Sequence, residues 1–190
     1  MIYNSIRFKR LKSLSLENNF FEAPMVFAQG QKGVAMDNNI VKKHARDFEL
    51  LSHTADIKLR VYGATKKELF RHAVIGMFQS IHPKIVGCHE QNGRVICQNL
   101  PIKREVHITS SDELALLVDF LSEALYLSDV HDEAHLDAEI HEMRDYALRA
   151  TLLGAPIQGF DGVEIKAVTY HDLEIKQVDG EWQADIVFDI

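Results

Sequence analysis

The sequence predicts an α+β domain in which two main helices pack against antiparallel β-sheet. Three observations predict it. Two apolar runs at helical spacing each follow a capping signature, Thr65-x-x-Glu68 and Ser110-x-x-Glu113. Several other segments alternate apolar and polar residues, the period of half-buried strands. The strand-like segments crowd behind the second helix, and two helices among many antiparallel strands indicate helices packed on a sheet face.

Residues 1–46 stand apart. They are rich in Asn, Ser, Gly and Lys, their apolar residues follow no sustained period, and Gln29–Gly33 and Asp37–Asn39 read as loop. They carry eight Lys or Arg and three acids, within a chain of net charge −7. The expectation is a weakly ordered basic extension over 1–46 and a folded domain over 47–190.

The elements of that domain follow in order. Phe48–Leu51 makes a short strand. After the polar corner Ser52-His53-Thr54-Ala55-Asp56, the residues Ile57, Leu59 and Val61 alternate with Lys58, Arg60 and Tyr62, and Gly63 ends the run. Thr65 then caps a helix carrying Leu69, Phe70, Ala73, Met77, Phe78 and Ile81 on one face, and Pro83 stops it. Arg94–Cys97 and Glu105–Thr109 are strand-like. The clearest helix follows Ser110, with Leu114, Leu117, Val118, Leu121 and Leu125 in line. An acidic connection around Asp129, Asp132, Glu133 and Asp137, with His131, His135 and His141, reads as solvated. Leu136–Ile140, Tyr146–Leu152, Val163–Tyr170 and Leu173–Gln177 read as strands. Asp179-Gly180 is a strong hairpin signal before a last strand over Trp182–Phe188.

Composition excludes several functions. An acidic domain is a poor direct binder of phosphate backbones, and no stretch approaches the roughly 20 apolar residues of a membrane span. Cys88 and Cys97 are expected as free thiols in a reducing compartment, with no second pair to complete a zinc site. Phosphate-binding loops, dinucleotide fingerprints, nucleophile elbows and His-Glu-x-x-His are all missing. Two features remain. One is the corner ending in Asp56. The other is Val187-Phe188-Asp189-Ile190, where the Asp189 side chain and the α-carboxylate of Ile190 bring anionic oxygens together. Proton uptake would relieve their repulsion, and a hard divalent cation would relieve it better. A strand that merely ends in Asp is the competing reading.

Three motifs in order carry a resemblance: Ser52-His53-Thr54-Ala55-Asp56-Ile57, Val163-Glu164-Ile165-Lys166-Ala167-Val168-Thr169-Tyr170-His171, and Val187-Phe188-Asp189-Ile190. With Asp119-Phe120-Leu121 and Leu148-Arg149-Ala150-Thr151-Leu152, they make the chain from about Phe48 to Ile190 similar to the archease family. The resemblance implies a cytoplasmic accessory protein, not an enzyme. Its partner would be an RtcB-type RNA ligase, which joins 2′,3′-cyclic phosphate or 3′-phosphate ends to 5′-hydroxyl ends with GTP and Mn²⁺ in tRNA splicing and RNA repair. The accessory protein would promote guanylylation of the ligase and its multiple turnover, meeting RNA only through the ligase. It also implies a metal site made of Asp56, Asp189 and Ile190, with Ca²⁺ the first expectation and Mg²⁺ or Mn²⁺ the alternatives. His53, Lys166 and His171 fall in these motifs without an assigned role. Lys58 stands where the family often has glycine. The competing readings are a chaperone or specificity modulator of a tRNA methyltransferase, and a metal-dependent hydrolase.

Overall fold

The computed structural model describes residues 46–52 and 56–190. Apart from Arg46, the expected basic extension lies outside them, as do His53, Thr54 and Ala55. Among the described residues the order is β1 (Phe48–Leu51), β2 (Ile57–Gly63), α1 (Lys66–Ser80), β3 (Pro83–Ile85), β4 (His89–Gln91), β5 (Arg94–Ile96), β6 (Ile102–Thr109), α2 (Glu113–His131), β7 (Glu133–Arg144), β8 (Ala147–Phe160), β9 (Ala167–Val168), β10 (Glu174–Val178) and β11 (Glu181–Asp189).

Two sheets share one core. In the first, β1, β2, β11 and β10 lie side by side and β9 adds to β11; in the second, β8 is flanked by β6, β7 and β3. Every pairing is antiparallel. The helices lie on the inner faces: α1 meets β1, β2 and β11 as well as β7, and α2 meets β6, β7, β8 and β9. Leu59, Val61, Ile186 and Phe188 from the first sheet join Phe70, Met77, Phe78, Phe120 and Leu121 from the helices and Val106, Ala150 and Leu152 from the second sheet in a single apolar cluster. Phe70 and Phe120 stack across the two helices with ring centroids 6.2 Å apart. At Gly76 a Cβ would lie 2.7 Å from Leu59, so α1 approaches β2 as closely as it does only because no side chain stands there.

Local chemistry explains the boundaries. Thr65 caps α1 as expected, accepting from the Glu68 amide at 3.2 Å, while the Glu68 carboxylate reaches back to the Ala64 amide at 2.8 Å. The cap of α2 is different from expectation. Asp112, not Ser110, accepts from the Ala115 amide at 2.8 Å, and the Ser110 hydroxyl turns to Asp119 instead. A carboxylate is the stronger acceptor for helix-end amides, so it wins among the three consecutive cap-competent residues 110–112. The Asp179-Gly180 turn holds as expected, with φ of 52° and 86° in the left-handed region. The expected strand Val163–Tyr170 shrinks to Ala167–Val168.

Two further expectations are overturned, the second only in part. Cys88 and Cys97 form a disulfide, because the β4–β5 hairpin brings their Cα atoms to 4.5 Å. That hairpin is also pinned to α1 by the buried Gln79 side chain, whose amide nitrogen donates to the Val95 carbonyl (2.9 Å) and whose oxygen accepts from the Val95 amide (2.7 Å). Gln79 thus acts as one residue of a missing strand. The acidic connection is solvated only in part: Asp129, His131, Asp132 and His141 are exposed as expected. The rest enters β7, where Glu133 is buried in a forked pair with Arg104 (2.9 and 2.8 Å), and Asp137 pairs with Arg71 of α1 (2.6 and 2.9 Å). His135 is wholly buried edge-on to Phe78, opposite Gly154, whose missing side chain leaves room for the imidazole. Burial pushes its pKa down from 6.5 to about 4, against the pull of Glu133.

Two outcomes are expected. Gln79→Leu leaves both Val95 backbone groups without that partner and destabilises the domain by about 1–3 kcal/mol in urea unfolding. His135 takes up its proton near pH 6.5 when unfolded but only near 4 when folded. The unfolded chain therefore binds more protons between those values, and stability falls as pH drops through that window. The loss reaches about 3 kcal/mol. In His135→Leu this component of the pH dependence disappears, which urea midpoints measured from pH 7 to pH 4 will show.

Candidate functional site

The site is built on the two central neighbours of the first sheet. β11 pairs with β2 from Trp182 opposite Gly63 to Phe188 opposite Ile57. The next residues, Asp189, still paired with Ala167 of β9, and Asp56, therefore stand at the same end of the β2–β11 pair. Alternation sends Ile57, Leu59 and Val61, with Ala184, Ile186 and Phe188, into the core, and puts Lys58, Arg60, Asp185, Val187 and Asp189 on the outer face. Asp189 is exposed, and Asp56 is half-buried.

Strand β11 is paired to its last residue. Its outer edge is held by β9 and the residues beside it: the Lys166 amide donates to the Asp189 carbonyl (2.8 Å), and the Thr169 amide and hydroxyl both donate to the Val187 carbonyl (3.1 and 2.9 Å). The side chain of Ile190 is half-buried against the core. Of the expected ligand residues, Asp56 and Asp189 are thus brought to one corner by strand pairing, and Ile190 is anchored beside them. Their oxygens are hard donors of the kind that calcium and magnesium prefer, so the residues present fit such an ion by type. Among the described residues, no three His, Cys, Asp or Glu side chains form a metal-binding group. The expected set has only two such side chains and takes its third donor from the α-carboxylate.

Ion pairs not foreseen in the sequence line the same face. Arg60 and Asp185, paired across β2 and β11, make a forked ion pair with both contacts at 2.7 Å. The guanidinium hydrogen bonds hold the Asp185 carboxyl below the ordinary carboxylate range. Lys58 donates to Asp172 at 3.3 Å, and His171 lies 3.7 Å from the same carboxylate. Alternation marks Lys58 and Arg60 as outward, but Asp185 follows only from the β2–β11 register and Asp172 only from where the turn before β10 is placed. Lys166, Tyr170 and His171 are exposed. A polar pocket of about 270 Å³ lies elsewhere on the domain, lined by Asp47, Tyr62, His72 and Glu181 among others, away from the carboxylates.

The class is now defined: an α+β domain of two helices between antiparallel sheets, with carboxylates gathered where its first long strand meets its last. The family model Archease protein family (MTH1598/TM1083) matches residues 48–190. The chain is 37% identical to protein archease of Methanosarcina mazei over 152 residues, covering 76% of this chain and 97% of that protein. It is 34% identical to protein archease of Pyrococcus furiosus, covering 76% and 99%. The solution structure of Methanobacterium thermoautotrophicum protein 1598 is similar at a TM-score of 0.54 and 26% identity, over 76% of this chain and 99% of that one. The chain belongs to the archease family. Among the described residues, no helix is long and apolar enough to cross a membrane.

Proposed function

We propose that this protein is a non-enzymatic activator of an RtcB-type RNA ligase, promoting the ligase's guanylylation and repeated turnover. It would touch RNA only through that partner. Membership of the archease family supports the reading, and the observation that carries it is the meeting of Asp56 and Asp189 at one end of the β2–β11 pair. Asp56, Asp189 and the α-carboxylate of Ile190 would hold a divalent cation, Ca²⁺ in the first instance, with Mg²⁺ or Mn²⁺ as alternatives. When bound, the ion supplies positive charge and open coordination positions to an oxygen-rich partner. The protein's own part is rigidity. Ile190 packs on the core and Lys166 and Thr169 fasten the last strand, so the backbone that carries Asp189 and Ile190 is held in place.

The expected outcome is loss of ligase stimulation, by tenfold or more (about 1.4 kcal/mol or above), in Asp56→Asn, in Asp189→Asn and in a chain extended past Ile190. Circular dichroism and melting temperature should stay close to wild type, and a tag at the amino terminus should be tolerated. Full stimulation by all three variants in a multiple-turnover ligation assay would sink the reading. Phosphoester hydrolysis by the purified protein alone would favour a hydrolase, and co-purification with a methyltransferase and no ligase would favour a modulator of that enzyme.

A further inference from the structure

The lysine beside the carboxylate corner is in an unusual position. Lys58 pairs with Val187 on the outer face, so Asp189 is its diagonal neighbour across the two strands, at about 7–8 Å between backbones. Asp56 lies two residues before it on its own strand line. The side chain of Lys58 is only 19% exposed. Its stem lies on the outer face where Val187 is 1% exposed, so the lysine is fixed by packing as well as by charge. Its ammonium donates to Asp172, whose backbone is held in the left-handed region (φ 52°) at the turn before β10. A flexible four-carbon stem lets a packed lysine move its head between acceptors a few ångströms apart.

Resting on the metal reading above, we infer that Lys58 is a resident counter-cation of the carboxylate corner, shared between Asp172 and Asp189, and that it sets how tightly a divalent ion is held there. The structure shows the ammonium on Asp172, its parking place, with its charge beside the carboxylate corner. A swing of the head toward Asp189 would compete directly with a divalent ion. A unit positive charge within several ångströms of a divalent cation opposes its binding. The site is therefore tuned toward weak, exchangeable binding, and Asp172 governs the ion without being a ligand.

Calcium titration calorimetry on the full chain, with its carboxyl end unmodified, tests this. Lys58→Met keeps the stem over Val187 and removes the charge. It should bind Ca²⁺ about tenfold more tightly than wild type. Asp172→Asn removes the parking place and should weaken binding several-fold, and this loss should vanish in the double variant. Equal Ca²⁺ affinity in wild type and Lys58→Met, or a loss in Asp172→Asn that persists in the double variant, overturns the inference and leaves the carboxylate site standing. If Lys58→Met does not fold, Lys58→Gln takes its place with the same expectation. Binding of Ca²⁺ by neither wild type nor the lysine variants overturns the metal reading and this inference together.

Discussion

The pairing of β2 with β11 is the constraint on which the rest depends. It joins the first long strand of the domain to the last, across residues 125 apart at Arg60 and Asp185. Its inner face contributes Leu59, Val61, Ile186 and Phe188 to the core on which α1 packs. Its outer face carries the forked Arg60–Asp185 pair, and its end gathers Asp56 and Asp189. One ladder of backbone hydrogen bonds therefore decides both where the apolar surface goes and where the carboxylates stand. A slip of one residue would turn Asp189 toward the core and Phe188 toward solvent. The burial of Phe188 thus enforces the position of Asp189.

Much of this was legible in the sequence, and the physical reason is locality. Thr65 and Glu68, the apolar stripe of α1, and Asp179-Gly180 act through neighbours three or four residues away, so their meaning is written within a short window. Asp56 and Asp189 stand out in the sequence through their motifs and their places at the ends of two strands. Their convergence, however, needed the register. What the sequence hid is non-local. His135 and Glu133 look solvated among acids until Arg104 and Phe78 are placed beside them. Cys88 and Cys97 look solitary until the short β4–β5 hairpin closes. The Ser110 cap failed for a different reason: three competent residues stand in a row, and spacing alone cannot rank them.

The domain also shows two ways of accommodating buried polarity. Glu133 and Gln79 are satisfied by dedicated partners, a guanidinium fork and a strand-like pair of amide contacts. His135 is accommodated by staying neutral. Among the described residues, its two ring nitrogens are the buried side-chain polar atoms that lack a hydrogen-bond partner, with Glu133 standing 3.6 Å from Nε2. None of these groups lies at the carboxylate corner. The second sheet and its helix contacts form a scaffold whose polar interior is structural, whereas the first sheet presents its charge to the outside.

The long separation between β2 and β11 bears on how the chain acquires its structure during synthesis. When β2 leaves the ribosome, β1 and α1 are its available companions, and the edge that will receive β11 stays open until more than a hundred further residues have been made. Closing so large a loop is entropically costly and slow. For that interval Leu59 and Val61 lie in an unfinished sheet with one unpaired edge, the state most prone to adopting a foreign strand. The outward row of Lys58, Arg60 and Tyr62 gives that waiting edge two like charges, which discourage a second nascent copy from pairing there. The charges that later flank the carboxylate corner thus first serve as protection for an incomplete sheet.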